Sequence, residues 1–151
     1  MNKTIKKLLY RHCESSLKCR LIKYKKRSDE LYESLNSETK SSAGDKHETG
    51  RAMIQLDREK IGQQVKEIEK EFELFSKINS NVVLNSIGLG SLVITQENQY
   101  YIVISAEVFE YNYKTYYCIS RKSPIGSALF EKKVRDVVTF NNKEIKIIEI
   151  L

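Results

Sequence analysis

The first half of the chain carries apolar residues at spacings that alternate between four and three, in two stretches separated by turn-forming residues. The stretches cover residues 17–35 and 61–75, and Ser-Ser-Ala-Gly-Asp stands between them at 41–45. This spacing puts the apolar side chains on one stripe of a helix, which has to be covered by a partner. The two stripes cover each other if the chain turns back near Ser42–Asp45. Residues 1–79 are therefore predicted to form an antiparallel coiled-coil hairpin.

The pattern changes after Asn79-Ser80-Asn81, where short runs rich in Val, Ile, Tyr and Phe replace the helical spacing. The expected strands are Ser91–Thr95, Tyr100–Ile104, Thr115–Ser120, Val134–Phe140 and Glu144–Ile150. Asn141-Asn142 fits a tight turn between the last two of them. Ser123 is a good N-cap and Pro124 a good first residue for one intervening helix. We therefore predict an α+β chain in which residues 80–151 form a twisted sheet covered by a single helix.

Positive charge is concentrated at the start of the chain. The net charge is +6, and residues 1–27 hold ten Lys or Arg against one acid, Glu14. Six basic residues lie off the apolar stripe of the first predicted helix: Lys18, Arg20, Lys23, Lys25, Lys26 and Arg27. Such a cluster favours binding to a polyanion such as RNA or DNA. The alternative is an ordinary solvated helix face.

Two carboxylates stand at the predicted turn of the hairpin, in the sequence Gly-Asp-Lys-His-Glu at 44–48. Asp45 and Glu48 can act as ligands of a hard cation such as Mg²⁺, which usually takes only one or two protein carboxylates. The same spacing is that of a capping box at the start of the second helix. The two roles are compatible, and the residues alone leave both open.

Several function classes are not supported. Cys13, Cys19 and Cys118 do not have the spacing of a zinc site and are expected to be reduced thiols. The apolar runs are too short for a signal peptide or a membrane span, so a cytoplasmic protein is expected. Gly88-Leu89-Gly90 lacks the third glycine of a dinucleotide-binding loop. No enzymatic nucleophile is evident, and the protein is not expected to be an enzyme itself.

Residues 123–138 resemble the C-terminal signature of the bacterial Gre transcript-cleavage factors, which reads Ser-Pro-(Ile/Leu)-Gly-x-Ala-Leu and later Asp-x-Val. Gly-Ser-Leu-Val at 90–93 is similar to the entry of that family into its sheet. Gly44-Asp45 and Glu48 are similar to its tip pattern, Gly-Asp-x-Ser-Glu-Asn. The resemblance implies an FKBP-like C-terminal domain preceded by a coiled coil.

The resemblance also implies a function in transcription. Ser123, Pro124 and Ile125 would dock at the rim of the RNA polymerase secondary channel, and the coiled coil would enter it. There Asp45 and Glu48 would help to hold an Mg²⁺ in the polymerase active site, near the nascent RNA. Two metals stabilise the attacking and leaving oxygens of a phosphodiester, which promotes cleavage of backtracked RNA by the polymerase. A cytoplasmic monomer that binds no metal alone is expected.

The tip departs from the family pattern, which leaves alternatives. Where the family has an acid and an aromatic residue, this chain has Arg51 and Ala52, and His47 replaces a serine. One alternative is a Gre-like paralogue that occupies the channel and inhibits or tunes the polymerase without stimulating cleavage. A peptidyl-prolyl isomerase of FKBP type and a general RNA-binding module that uses residues 1–27 are alternatives from other classes.

Overall fold

A computed structural model describes the backbone of residues 2–39 and 44–151, and the side chains of residues 2–37 and 48–151. Two long helices come first, α1 (Asn2–Thr39) and α2 (Gly44–Ser76). The chain divides into two compact units. The helical unit is Leu17–Glu73, and the sheet unit combines Met1–Ser16 with Leu74–Leu151. No helix in the described part of the chain is long and apolar enough to cross a membrane.

In the helical unit the two helices run antiparallel. Arg20 of α1 forms an ion pair with Glu71 of α2 at 2.8 Å, and twelve residues further along α1 Tyr32 lies under the guanidinium of Arg58, thirteen residues back along α2. The partner on α2 comes earlier in the sequence as the residue on α1 comes later, which shows the predicted antiparallel pairing. The apolar stripe is buried at Leu17, Leu31, Leu35 and Ile68. The turn predicted near Ser42–Asp45 lies outside the fully described residues.

The sheet unit contains six strands and one short helix. The strands are β1 (Leu92–Thr95), β2 (Gln99–Val103), β3 (Phe109–Tyr111), β4 (Lys114–Ser120), β5 (Val137–Phe140) and β6 (Lys143–Ile150), and the helix is α3 (Pro124–Leu129). Their order across the sheet is β3-β4-β2-β1-β6-β5. β2 and β4 pair in parallel and all other neighbours are antiparallel. The α+β class is therefore confirmed.

Strand β2 is buried on both faces, since Tyr101, Ile102 and Val103 are all inaccessible although successive side chains point to opposite sides. On one face, Ile102 belongs to an apolar cluster that contains Leu129 of α3. On the other face, which carries Tyr101, the His12 ring of α1 lies 5.0 Å from the Phe109 ring of β3. The sheet thus has a second cover, the first turns of α1, in addition to the single helix that the sequence predicts.

The strand predictions differ from the structure by more than one residue at two places. β3 is missing from the prediction, and β5 begins at Val137 instead of Val134. The residues before β5 form a turn instead, in which the Lys133 amide donates to the Asp136 carboxylate at 2.7 Å. The predicted turn at Asn141-Asn142 is confirmed. The two residues connect the antiparallel pair β5–β6, and their φ values are positive, 50° for Asn141 and 61° for Asn142.

Candidate functional site

The predicted cation ligands lie at the start of α2. Helix α2 begins at Gly44, one residue before Asp45, but the side chains of Asp45 and His47 are outside the described ones. The side chains of Glu48, Arg51 and Ala52 are exposed. Within the described part of the chain, no group of three His, Cys, Asp or Glu side chains could hold a metal ion. Of the two predicted ligands, Glu48 is the one whose side chain is described, and its carboxylate is accessible to solvent.

Five of the six predicted basic residues, Lys18, Lys23, Lys25, Lys26 and Arg27, are exposed. Arg20 differs. It lies beside the apolar stripe, three residues after Leu17, where a long side chain can reach the partner helix. Its guanidinium pairs with Glu71 and is only 36% exposed. Arg20 therefore stabilises the contact between α1 and α2, and its guanidinium is only partly available for a polyanion.

The structure brings part of the basic cluster together around a shallow groove of about 270 Å³ in the helical unit. The groove is lined by Lys23, Tyr24, Lys26, Arg27, Glu30 and Ile61. Arg27 also lies 3.5 Å from Glu30, one turn along the same helix. Exposed ion pairs of this kind are weak, so Arg27 remains able to exchange Glu30 for another anion. Three cations and an aromatic ring therefore share one accessible surface.

The second predicted site is the corner where β4 leads into α3. The Ser123 hydroxyl accepts a hydrogen bond from the Gly126 amide at 3.1 Å and donates one to the Ser120 carbonyl at 2.6 Å. Ser123 is thus the predicted N-cap, with Pro124 exposed in the first helical position. Ile125 is half-buried against the apolar cluster of the sheet. The corner therefore presents Pro124 to solvent on a rigid support.

Gly126 explains why this corner is so tight. A Cβ atom at Gly126 would overlap the Ser120 carbonyl oxygen, and it would lie 2.8 Å from the Ser123 hydroxyl. Glycine is therefore the residue that lets α3 approach the end of β4. Sequence analysis noted Gly126 within a motif without assigning it a role. The sequence signal for this role was the order Ser-Pro-x-Gly. It places Gly126, which has no side chain, next to Ser123, the N-cap of the same helix.

Cationic side chains that sequence analysis did not single out stand beside the corner. The Arg121 guanidinium lies 4.2 Å from the centre of the Phe130 ring, on the far end of α3. Cation–π contacts hold such a side chain in place without neutralising it. Lys122 is exposed and its amide donates to the Ser120 hydroxyl. The corner thus combines an exposed proline with a positioned cation, a surface suited to an acidic or mixed protein partner.

Comparison with known proteins gives a family match for the second half of the chain. Residues 83–151 match the family model described as the C-terminal domain of the transcription elongation factors GreA and GreB. GreA factor homolog 1 (Gfh1) of Thermus thermophilus is similar in structure, with 21% identity, 89% of this chain and 92% of that chain covered, and a TM-score of 0.37. A second structure, of the transcription factor Gfh1, has 22% identity, coverages of 89% and 90%, and a TM-score of 0.36. Curated protein sequences gave no significant match.

Proposed function

We propose that the chain, whose residues 83–151 match the C-terminal domain of the transcription elongation factors GreA and GreB, is a Gre-family protein that binds RNA polymerase and acts during transcription elongation. The single observation that carries the proposal is the family match over residues 83–151, which contain all six strands and α3. The corner of Ser123, Pro124 and Ile125 lies within the matched segment. We propose this corner as the polymerase-docking site.

The geometry of the corner supports a docking role. Two hydrogen bonds of Ser123 and the ring of Pro124 fix the backbone, so little conformational entropy is lost when a partner binds there. Pro124 is exposed although the residues on either side are at least half-buried. Arg121 is held nearby by Phe130 and adds a charge for electrostatic steering.

The helical unit supports the second part of the proposal, entry of the hairpin into the secondary channel. Helix α2 has 33 residues, which corresponds to a length of about 50 Å at 1.5 Å per residue. An element of that length can carry groups at its start over tens of ångströms. The exposed cations on α1, with the groove around Tyr24, suit contact with nascent RNA or with acidic walls of the channel.

For the action at the channel, we infer that Asp45 and Glu48 assist cleavage of backtracked RNA by sharing an Mg²⁺ with the polymerase. Mg²⁺ keeps several waters and binds through one or two protein carboxylates plus phosphates, so two carboxylates on the protein side suffice when the polymerase and RNA supply the rest. The chain itself would orient the ion. The exposed side chain of Glu48 is compatible with that role.

One observation favours the alternative, in which the protein occupies the channel and tunes the polymerase without cleavage. Arg51 stands three residues after Glu48 on α2 and is exposed, as Glu48 is. Residues three apart on a helix are neighbours, so the guanidinium can compete with a cation for the Glu48 carboxylate. Charge competition of this kind would weaken Mg²⁺ delivery while leaving polymerase binding intact.

The isomerase alternative has less support. An isomerase needs an open apolar pocket for a prolyl peptide. Where α3 meets the sheet, Ile102 and Leu129 are completely buried in a packed cluster. A cavity of about 220 Å³ lies elsewhere in the sheet unit, with polar groups of Gln96, Glu97 and Asn98 among its lining. Neither surface favours an apolar substrate.

Polymerase binding is tested by comparing Pro124→Asp with wild type. Asp is accepted in the first turn of a helix, so the fold should persist, while a charge replaces the exposed ring. We expect affinity for core RNA polymerase to fall by at least about tenfold, or 1.4 kcal/mol. Val137→Asp is the matched control, because Val137 is 54% exposed on the edge strand β5. Equal affinities of wild type and Pro124→Asp would reject the docking site, and no binding by wild type would reject the proposed function.

A further inference from the structure

The β3–β4 hairpin, residues 109–120, turns through two residues with positive φ values, 49° for Asn112 and 61° for Tyr113. Two positive φ values in a two-residue loop are those of a type I′ turn, in which glycine is preferred at the second position. Tyr113 occupies that position here. A side chain as large as that of tyrosine is strained in the left-handed conformation, so Tyr113 lowers the stability of the fold.

The same chain contains the same kind of turn built from better suited residues. β5 and β6 are joined by Asn141 and Asn142, whose φ values are 50° and 61°. Asparagine tolerates this conformation because its short polar side chain can form local hydrogen bonds. Since the second position holds Asn142 in one turn and Tyr113 in the other at the same φ, the turn itself does not require a tyrosine.

Packing does not require Tyr113 either. Its relative exposure is 110%, and its side chain has no hydrogen bond and no ring contact within the described part of the chain. The ring contacts of the hairpin lie nearer to the sheet, where the Phe109 ring is 5.0 Å from His12 and 6.4 Å from Tyr111. The fold thus gives no reason for Tyr113, and backbone strain of this kind is concentrated at functional sites.

The hairpin has the properties of an anchor for a protein partner. Tyrosine is enriched among the residues that carry most of the binding energy of interfaces, and it buries a large ring while ordering only two side-chain torsions. The contacts of Phe109 with His12 and Tyr116 hold the hairpin to α1 and β4, so the tip is presented on a rigid support.

The charge around the tip decides the class of partner. Residues 107–114 expose two acidic side chains, Glu107 and Glu110, against one basic side chain, Lys114. This acidic balance stands out in a chain with a net charge of +6. Carboxylates repel the phosphates of RNA and DNA and attract a cationic protein surface. The hairpin is therefore suited to a protein that presents lysine or arginine.

We propose that the β3–β4 hairpin is a protein-docking element, in which Tyr113 inserts into an apolar pocket of the partner beside a lysine or arginine that pairs with Glu110. For the identity of the partner, core RNA polymerase, the inference rests on the proposed function. It adds a contact outside the corner of Ser123, Pro124 and Ile125. The free protein bears the strain at Tyr113, and the complex gains the contact of its ring.

The test exchanges the residues at the second position of the two turns. Tyr113→Asn should raise the melting temperature by about 3 °C, because the strain is relieved. It should also lower the affinity for core RNA polymerase by at least about tenfold. Asn142→Tyr is the matched control, which places the same strain and an exposed ring on the other hairpin. It should lower the melting temperature by a similar amount and leave the affinity unchanged.

Glu110→Gln tests the ion pair. It should weaken polymerase binding by about threefold at low salt and by less at high salt, because salt screens exposed charges. An unchanged affinity at low salt would reject the pairing of Glu110 with a partner cation.

Equal affinities of wild type and Tyr113→Asn would overturn the proposal, and so would an equal loss of affinity in Asn142→Tyr. If Tyr113→Asn weakens binding to a single-stranded RNA oligonucleotide and not to polymerase, the ring stacks on bases and the assignment to a protein partner is wrong. Wild type that does not bind polymerase would reject the proposed function. Binding that survives Tyr113→Asn and is lost in Pro124→Asp would reject the hairpin alone.

Discussion

At Gly126 the backbone of α3 passes so close to the end of β4 that a side chain has no room. The obstacle is mainly the Ser120 carbonyl oxygen, which is part of the backbone and already accepts from Ser123. A methyl group there has to displace main chain and cannot be accommodated by rotating a side chain. The residue therefore fixes the position of the exposed Pro124 two positions earlier.

We expect Gly126→Ala to lower the free energy of unfolding by roughly 1 to 3 kcal/mol, the usual cost of forcing extra volume into a packed site. Gly62→Ala is the control of opposite sign. Gly62 lies inside α2, and a Cβ there meets nothing within 4 Å. Its replacement should raise helix stability by up to about 1 kcal/mol. Urea unfolding followed by circular dichroism measures both, and a neutral Gly126→Ala would contradict the steric interpretation.

At the scale of elements, the sequence predicted the long helices, four strands and α3 well because each carries a repeated pattern or a cap. β3 escaped because it has only three residues, Phe109–Tyr111. The hairpin after it turns at Asn112 and Tyr113, both with positive φ. Asn is common in that conformation but Tyr is not, so the sequence lacks the Asn-Gly signal of such turns. Packing, with Phe109 near His12 and Tyr116, decides this strand.

Lys6 connects α1 to the segment that precedes the sheet. Its ammonium donates to the Val82 carbonyl at 3.0 Å, and the residue is only 3% exposed. Burial lowers the pKa of Lys6. The folded state therefore releases this proton at a lower pH than the unfolded state. Between the two pKa values the unfolded state binds more protons, so stability rises with pH in that window.

We expect the stability of wild type, measured relative to Lys6→Met, to increase as the pH is raised from neutral toward the usual titration range of lysine. Met fills a similar volume and carries no charge, so other titrating groups cancel in the difference. Thermal unfolding of both proteins at several pH values, followed by near-ultraviolet circular dichroism, measures it. If the stability difference between the two proteins stays constant or falls as the pH rises, burial does not lower the pKa of Lys6.

At the scale of the whole molecule, the sequence could predict the hairpin, the sheet and the motif residues of the candidate site. It could not predict that α1 also covers the sheet. Ile5, Leu9, Cys13 and Leu17 follow one another at intervals of four, which reads as an extension of the coiled-coil stripe. The contact of His12 with Phe109 depends on how the strands are ordered, and no local pattern encodes it.

The proposed action on polymerase requires both units of the chain, and variants at the proposed tip distinguish between the two proposed actions. Asp45→Asn changes the size of the side chain little but removes the charge that a hard cation needs. We expect cleavage of backtracked RNA to fall by at least about tenfold, the lower end of what changes around a bound metal cost. Glu48→Gln should do the same, while polymerase affinity and stability stay unchanged for both.

Arg51→Glu is the complementary variant, since it removes the cation next to Glu48 and adds an acid. It should raise cleavage above wild type at low Mg²⁺, and Arg51→Gln should have an intermediate effect. The measurement is the rate of transcript shortening in stalled complexes over a range of Mg²⁺ concentrations. Wild type that binds polymerase and stimulates no shortening at any Mg²⁺ concentration would contradict cleavage assistance and support the tuning alternative.

The contribution of α1 to the sheet has a consequence for biosynthesis. A ribosome makes residues 2–16 before any strand, and Phe109 of β3, which contacts His12, is made almost one hundred residues later. The apolar side of this segment, which contains Leu9 and Cys13, therefore remains uncovered by the sheet during most of translation. A nascent chain whose helix is made long before the sheet that covers it exposes hydrophobic surface, and a chaperone would bind to that surface during synthesis.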